Sequence, residues 1–373
     1  MKSATVKATQ KMGGIVEFMP PVKIRDYLSL KKSREISFKN ITLTLRGRDS
    51  IYLANRHFGL GQDDIALLPG YLCDTVPAAF APCCNVEYYD IKKDFSIDPA
   101  VIENRLTDKR IRVLYVIHYF GFLHKNLVEL SKIARKHNVL LFEDHAHSAL
   151  SHFSYEYADA MIFSFRKVLP VPDGGGLWLK DVVADLNIDR TVLLSDVISM
   201  MILAKRKICY TSKRLRNLVG KIIQKDIDAL NEGRIQICPR PISHMSRGII
   251  RRADLDSIFR VRREQFSQWQ NLLKNTPFQS VFLVLPSNVC PQGFPIWVGN
   301  PDKLVSKAEE FDIFLKIHWR SMPDEVRESS PVSWRMSRKI VTLPIYPGLQ
   351  LDEMERIVNL LVTYGRSTAD CGN

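Results

Sequence analysis

Between Ile51 and Leu179 the chain alternates short apolar runs with stretches of helical spacing. ALLPGY (66–71) reads as a strand opening into a loop and NVEYYDI (85–91) as a second strand. RVLYVIHYFG (112–121) reads as a buried strand that ends at Gly121. Between them SIDPAVIENRL (96–106) has a helix start, with Asp98 as N-cap and Pro99 at the first helical position. NLVELSKIARKH (126–137) spaces Leu127, Leu130, Ile133 and Ala134 as one helical face. NVLLFEDHAH (138–147) predicts a strand whose far end carries acid and imidazole groups. DAMIFSF (159–165) predicts one more, followed by RKVLPVPDGGGLWLK. Strand, helix, strand at this rhythm implies βαβ units and an α/β fold with a mostly parallel sheet. In such sheets ligands gather beyond the carboxyl ends of the strands.

The pattern changes after residue 180. LLSDVISMMILAKRKICYTSKRLRNLVGKIIQKDIDAL is helical and strongly basic in its middle. From about Ser246 a long helical stretch (RADLDSIFRVRREQFSQWQNLL) precedes strands at SVFLVLP and FPIWV and a closing helix at DEMERIVNLLVTYG. The expected organisation is a large domain over 1–180, a basic helical interface or connector over 181–245, and a smaller C-terminal α+β domain over 246–373. A chain of 373 residues suits two domains that share a cleft.

Composition narrows the function classes. At 46% hydrophobic and 25% charged residues the chain resembles ordinary soluble proteins. No apolar run approaches the roughly 20 residues that span a bilayer, and MKSATVKATQKMGGIVEF lacks the apolar core of a secretory signal. The seven cysteines form no CxxC pair, which fits reduced thiols in the cytoplasm and no metal site. The formal net charge of +13 favours anionic partners. Nucleic acid is disfavoured because no recognised module accompanies the charge. The segment 205–225 could touch anionic lipid as an amphipathic helix, although packing at a subunit interface is the favoured reading.

Two strand ends carry candidate chemistry. The run Phe142-Glu143-Asp144-His145-Ala146-His147 places a carboxylate and an imidazole at a sheet edge. Taken alone, Asp144 is as readily a helix cap. Next come Ser164, Arg166 and Lys167, then Asp173 and the triplet Gly174–Gly176. A lysine just after a buried strand can act as a Schiff-base nucleophile. A hydroxyl and a glycine-rich turn can hold a phosphate, although such a turn is more often only a turn.

In this order, Asp-x-x-His and then Ser-Phe-x-Lys with Gly-Gly, the residues resemble the PLP-dependent DegT/DnrJ/StrS family of sugar aminotransferases. GRDSIYLA (47–54) is similar to that family's glycine-led phosphate turn, VIHYFGF (116–122) to its Val-His-x-x-Gly strand end, and LPIYPGLQLDEMERIV (343–358) to its closing segment. The resemblance implies a type I PLP-transferase fold and pyridoxal 5'-phosphate as cofactor. Lys167 would then be the Schiff-base lysine and Asp144 the partner of the pyridine nitrogen. His147 would pack on the ring, while Ser164, Arg48 and Asp49 would bind the phosphate. Cys73 falls where many relatives place an aromatic over the cofactor. The lysine follows Ser-Phe-Arg directly, two residues earlier than the commoner spacing, as in a branch with Arg-Lys-x-Leu-Pro-Val-Pro-Asp-Gly-Gly. Related dehydratases carry histidine in place of this lysine, and no histidine lies between His152 and Lys180.

The resemblance further implies a homodimer that moves an amino group from glutamate or glutamine to a nucleotide-linked keto-sugar, for surface polysaccharide or secondary metabolite synthesis. The alternatives are a catalytically retired PLP-fold protein that binds a partner or membrane, and a PLP enzyme of other chemistry such as dehydration.

Overall fold

The computed structural model describes residues 40–181, 188, 192–211, 237–278, 280–311, 313–320 and 322–369. Strands β1 (Ile41–Thr44), β2 (Ile65–Pro69), β3 (Asn85–Tyr89), β4 (Ile111–Ile117), β5 (Leu140–His145), β6 (Ala160–Ser164) and β7 (Gly175–Leu179) form one seven-stranded sheet. Its order is β1-β7-β6-β5-β4-β2-β3. From β3 through β6 the neighbours run parallel, while β7 pairs antiparallel with both β6 and β1. The mostly parallel α/β architecture expected from the sequence is therefore present. Strands β2, β4 and β6 are almost wholly buried, as continuous apolar runs in a sheet covered on both faces should be.

Helices α1 (Gly47–His57), α2 (Thr75–Phe80), α3 (Pro99–Arg105) and α4 (Leu127–Lys136) connect these strands. The α3 start is as its sequence predicts: Pro99 opens the helix and the Asp98 carboxylate accepts the Ala100 amide hydrogen. Helix α5 (Val192–Thr211) follows, then α6 (His244–Arg252) and α7 (Leu255–Leu273). Helix α7 is the one expected over 252–273, opening three residues later at Leu255. Ala253 leaves helical geometry, and Asp254 caps a fresh helix by accepting the Ser257 amide hydrogen.

The C-terminal part is built on a smaller antiparallel sheet, β8 (Phe294–Trp297), β10 (Ile340–Leu343) and β9 (Lys316–Ile317), in the order β8-β10-β9. Helices α8 (Pro301–Glu310), α9 (Glu325–Ser329), α10 (Pro331–Met336) and α11 (Leu351–Ala369) complete this part of the chain. SVFLVLP is not the strand its apolar run suggests. It makes one isolated bridge, Ser280 to Ile296 of β8, and leaves Leu283 and Val284 exposed, so among the described residues the ladder does not continue.

Helix α5 inverts the usual amphipathic arrangement. Ser195 and Ser199 are buried, donating to the Pro241 carbonyl and the Asp173 carboxylate, whereas Leu193 (74% exposed), Met200 (60%) and Met201 (66%) face outward. No described helix is long and apolar enough to cross a membrane. Most of the basic segment 205–225 lies outside the described residues. Cys73, Cys83, Cys84, Cys238 and Cys290 are free thiols.

Candidate active site

The carboxyl ends of β4, β5 and β6 converge with the start of α1, and the polar groups of the site stand there. Asp144 lies on β5 opposite Ile117 of β4 and Ile162 of β6. Its carboxylate is buried and accepts hydrogen bonds from the Ala146 amide (2.7 Å) and the Tyr115 hydroxyl (2.8 Å). Both donors are neutral. Burial pushes the Asp144 carboxyl above its usual range, against the opposing pull of these hydrogen bonds and of the Lys167 charge.

Lys167 sits in a 3-10 turn (Phe165–Lys167) directly after β6 and is half-buried. Its charge also acts on Cys73, whose thiol is raised by burial first and by Asp74 second, with Lys167 opposing. Asp144, Lys167 and Cys73 are thus brought into one electrostatic neighbourhood. The Cys73 sulfur approaches Asp74 (3.4 Å) and Thr75 (3.2 Å).

His147 is buried, and its Nδ1 accepts the Phe120 amide hydrogen at 3.3 Å. Phe120 adopts a left-handed conformation (φ 55°) to present that amide. The Trp319 ring stacks on His147, with centroids 5.3 Å apart and planes at 16°. Trp319 is left-handed too (φ 55°) and touches Tyr71 edge-on. Strained backbone in bulky residues concentrates where geometry serves function. This contact joins the C-terminal part to the sheet edge.

At the other end, Ser164 closes β6 opposite Gly175 of β7. A methyl group placed on Gly47 would lie 3.7 Å from the Ser164 Cβ, so the α1 N-terminus abuts this serine. Gly175 is required, because any Cβ there would sit 2.4 Å from the Arg46 carbonyl. Arg46, Arg48 and Arg166 crowd this corner. Arg46 falls to about 10 through burial first and the Arg48 charge second, with Arg166 adding and Asp49 and Asp173 opposing. Asp49 is spent on its own helix, accepting the Arg46 amide hydrogen (3.1 Å), and burial raises its carboxyl to about 6. An amide-rich helix start beside clustered guanidinium groups is an anion site.

On the opposite face of β5, Glu143 is fully buried between His118 (2.9 Å) and His145 (3.2 Å). Burial alone would push Glu143 up, yet these two hydrogen bonds outweigh it and hold the carboxyl at about 2. The three side chains are close enough to surround a cation. However, His118 Nδ1 accepts the His124 amide hydrogen (3.0 Å), so the ring proton sits on Nε2, facing Glu143. That nitrogen offers an N–H where a metal needs a lone pair.

The chain that carries this arrangement is similar to known proteins. Residues 39–190 match the DegT/DnrJ/EryC1/StrS aminotransferase family. Over that stretch the chain is similar to this family. It is 29% identical over 150 residues to the UDP-4-amino-4,6-dideoxy-N-acetyl-beta-L-altrosamine transaminase of Campylobacter jejuni, a match covering 38% of this chain and 40% of that protein's own length. It is 23% identical over 340 residues to the dTDP-3-amino-3,6-dideoxy-alpha-D-galactopyranose transaminase of Aneurinibacillus thermoaerophilus, covering 86% and 84% of the two chains. Among solved structures it resembles NtdA from Bacillus subtilis, determined with bound cofactor PMP. The TM-score is 0.60 at 18% identity, over 86% of this chain and 72% of that one. The fold is that of the type I PLP-dependent aminotransferases.

The residues present fit a pyridoxal phosphate. Asp144 is a buried carboxylate raised by desolvation, hydrogen-bonded by neutral donors, and a protonated ring nitrogen would relieve that cost. The Arg46, Arg48 and Arg166 guanidinium groups beside the α1 N-terminus suit a phosphate dianion. Three residues of the site carried no clear signal in the sequence. Tyr115 was one hydroxyl in an apolar strand, and only the β4–β5 pairing sets it against Asp144. Arg46 and Arg166 were two arginines among many.

Proposed function

We propose that the chain is a PLP-dependent aminotransferase that delivers an amino group to a keto-sugar carried by a nucleotide, with glutamate or glutamine as donor. The observation that carries this reading is the buried Asp144 carboxylate, raised by desolvation and set within the electrostatic reach of Lys167 at the sheet's carboxyl edge. The sugar-nucleotide transaminases among its relatives support the acceptor class.

Bound, the pyridoxal group would supply an electron sink for charge developing at the amino-bearing carbon. Asp144 would hold a proton at the ring nitrogen, with Tyr115 and the Ala146 amide fixing the carboxylate plane. Lys167 Nζ would hold the cofactor and, once released, move a proton between the donor's α-carbon and the cofactor carbon. Ser164, Arg48 and the α1 N-terminus would bind the phosphate, with Asp49 capping the helix that presents the amides. His147, held by the Phe120 amide, would pack on the ring, and Cys73 would stand on the side where relatives place an aromatic. The enzyme would work in the cytoplasm, where nucleotide-linked sugars are made.

The test is an absorbance spectrum of the purified protein with added PLP, before and after glutamate. A visible band that bleaches with glutamate is expected. A band indifferent to glutamate and glutamine would refute the donor, and no band would leave a retired fold.

The outward apolar face of α5 supports a second copy of this chain as its cover, giving the homodimer. Contiguous exposed apolar residues on one helix usually mark an interface. Met200→Asp combined with Met201→Asp should convert a dimer to a monomer in size-exclusion chromatography with light scattering. An unchanged mass would place the interface elsewhere.

A further inference from the structure

Hydrogen bonds tie down the loop that carries Lys167 at several points. The Phe165 amide donates to the Gly174 carbonyl (2.8 Å), so the ten residues between and including them close on themselves. The buried Arg262 guanidinium donates to the Val168 carbonyl (3.1 Å) and, from its other nitrogen, to the Pro291, Gln292 and Ile345 carbonyls. A further tie is Asp173, which is fully buried. Its Oδ1 accepts the Ser243 amide hydrogen (3.1 Å). Its Oδ2 accepts the hydroxyls of Ser243 (2.7 Å), Ser246 (2.8 Å) and Ser199.

Four donors converging on one carboxylate are more than a chance burial requires. Two of the three serines have a further geometric reason to be where they are. Ser243 is the N-cap of α6, since its hydroxyl also accepts the Ser246 amide hydrogen at 3.1 Å. Ser199 lies on the buried seam of α5. Asp173 therefore joins α5 and the start of α6 to the lysine loop, six residues after Lys167. A carboxylate accepts only, and every group pointed at it donates, so the cluster is complete as an ionised aspartate. Its charge also reaches Arg46 across the glycine turn, opposing the Arg48 and Arg166 charges there.

We propose that Asp173 is a positioning residue for Lys167: its buried carboxylate locks the lysine loop onto α5 and α6, and so sets where the amine stands over the sheet edge. The inference rests on Lys167 being the cofactor's lysine. The loop's other ties cannot replace this one. Arg262 grips a carbonyl near the lysine, and the Phe165–Gly174 bond joins only the loop's ends. Asp173 anchors the returning limb to α5 and α6, while the Gly174 amide, donating to the Leu45 carbonyl (2.9 Å), anchors it to the turn before α1.

The experiment compares Asp173→Asn, Asp173→Ala and Ser199→Ala with wild type in two readouts. Asparagine keeps the shape and one acceptor, so a folded variant is available even where alanine fails. In the apoprotein, hydrogen exchange of peptides covering 165–176 should accelerate about tenfold in Asp173→Asn, while 127–136 keeps its wild-type protection. In the holoenzyme, kcat of the glutamate half-reaction should fall by about tenfold or more with KM for glutamate within about twofold, since misplacing a catalytic group costs rate more than binding. Ser199→Ala should move both readouts less. Unchanged exchange would refute the tie. Uniformly faster exchange, or local loosening with wild-type kcat, would reduce Asp173 to a stability residue. A wild-type protein without a cofactor band would refute the lysine's role separately, and the exchange result would still decide the tie.

Discussion

Lys167→Ala should eliminate the PLP-dependent visible band and slow amino-group exchange from glutamate by on the order of 10⁴-fold, the upper range for losing a positioned proton-transfer group. The variant loses two functions together, because the same Nζ would tether the cofactor and carry the proton. Lys167 is half-buried in a turn, outside the sheet core. Its thermal midpoint without cofactor should therefore stay within a few degrees of wild type. Stopped-flow absorbance after mixing with glutamate measures the exchange, and added methylamine should restore part of it by substituting for the missing amine. Retention of both band and exchange would show that another residue holds the cofactor. The assignment of Lys167 despite its early spacing would then fall.

Asp144→Asn should retain cofactor binding but cut the glutamate half-reaction by about 10² to 10³-fold, as removal of one preorganised electrostatic partner does elsewhere. The amide keeps an oxygen for the Tyr115 hydroxyl or the Ala146 amide, so the local geometry survives. What disappears is the negative charge opposite the ring nitrogen. The apoprotein supplies a second signature. The folded-state Asp144 carboxyl is raised by burial, so the native state binds this proton more tightly than the unfolded chain. Wild-type stability from this group is fully present below the ordinary carboxylate pKa and is lost as pH rises through the raised value. Asp144→Asn lacks that loss. Apoprotein melting curves followed upward from the carboxylate range should show wild type losing ground relative to the variant, and PLP should recover it in wild type only. Parallel pH profiles would show that Asp144 is no buried, raised carboxylate.

Much of this was legible in the sequence because it is local. Apolar runs bounded by helical stretches determined the strands and the α/β class, since a parallel sheet buried on both faces needs continuous apolar strands. The Asp-x-x-His and Ser-Phe-x-Lys strings determined which carboxylate and which amine stand at the sheet's edge, because a strand end and the turn after it are set by neighbouring residues. Elsewhere the local signal misled. SVFLVLP has the composition of a strand, but its pairing with β8 stops after one bridge at Ser280, and a strand needs a continued ladder.

Only the tertiary structure decided the groups that act through sequence-distant neighbours. Tyr115 reaches Asp144 across 29 positions. Ser199, Ser243 and Ser246 reach Asp173 across 26, 70 and 73. Trp319 crosses from the C-terminal part to cover His147. A serine or tyrosine carries no mark of its partner along the chain. The partner is chosen by which strands pair and which helix ends meet, and those choices rest on the burial of the whole apolar surface, not on any one residue.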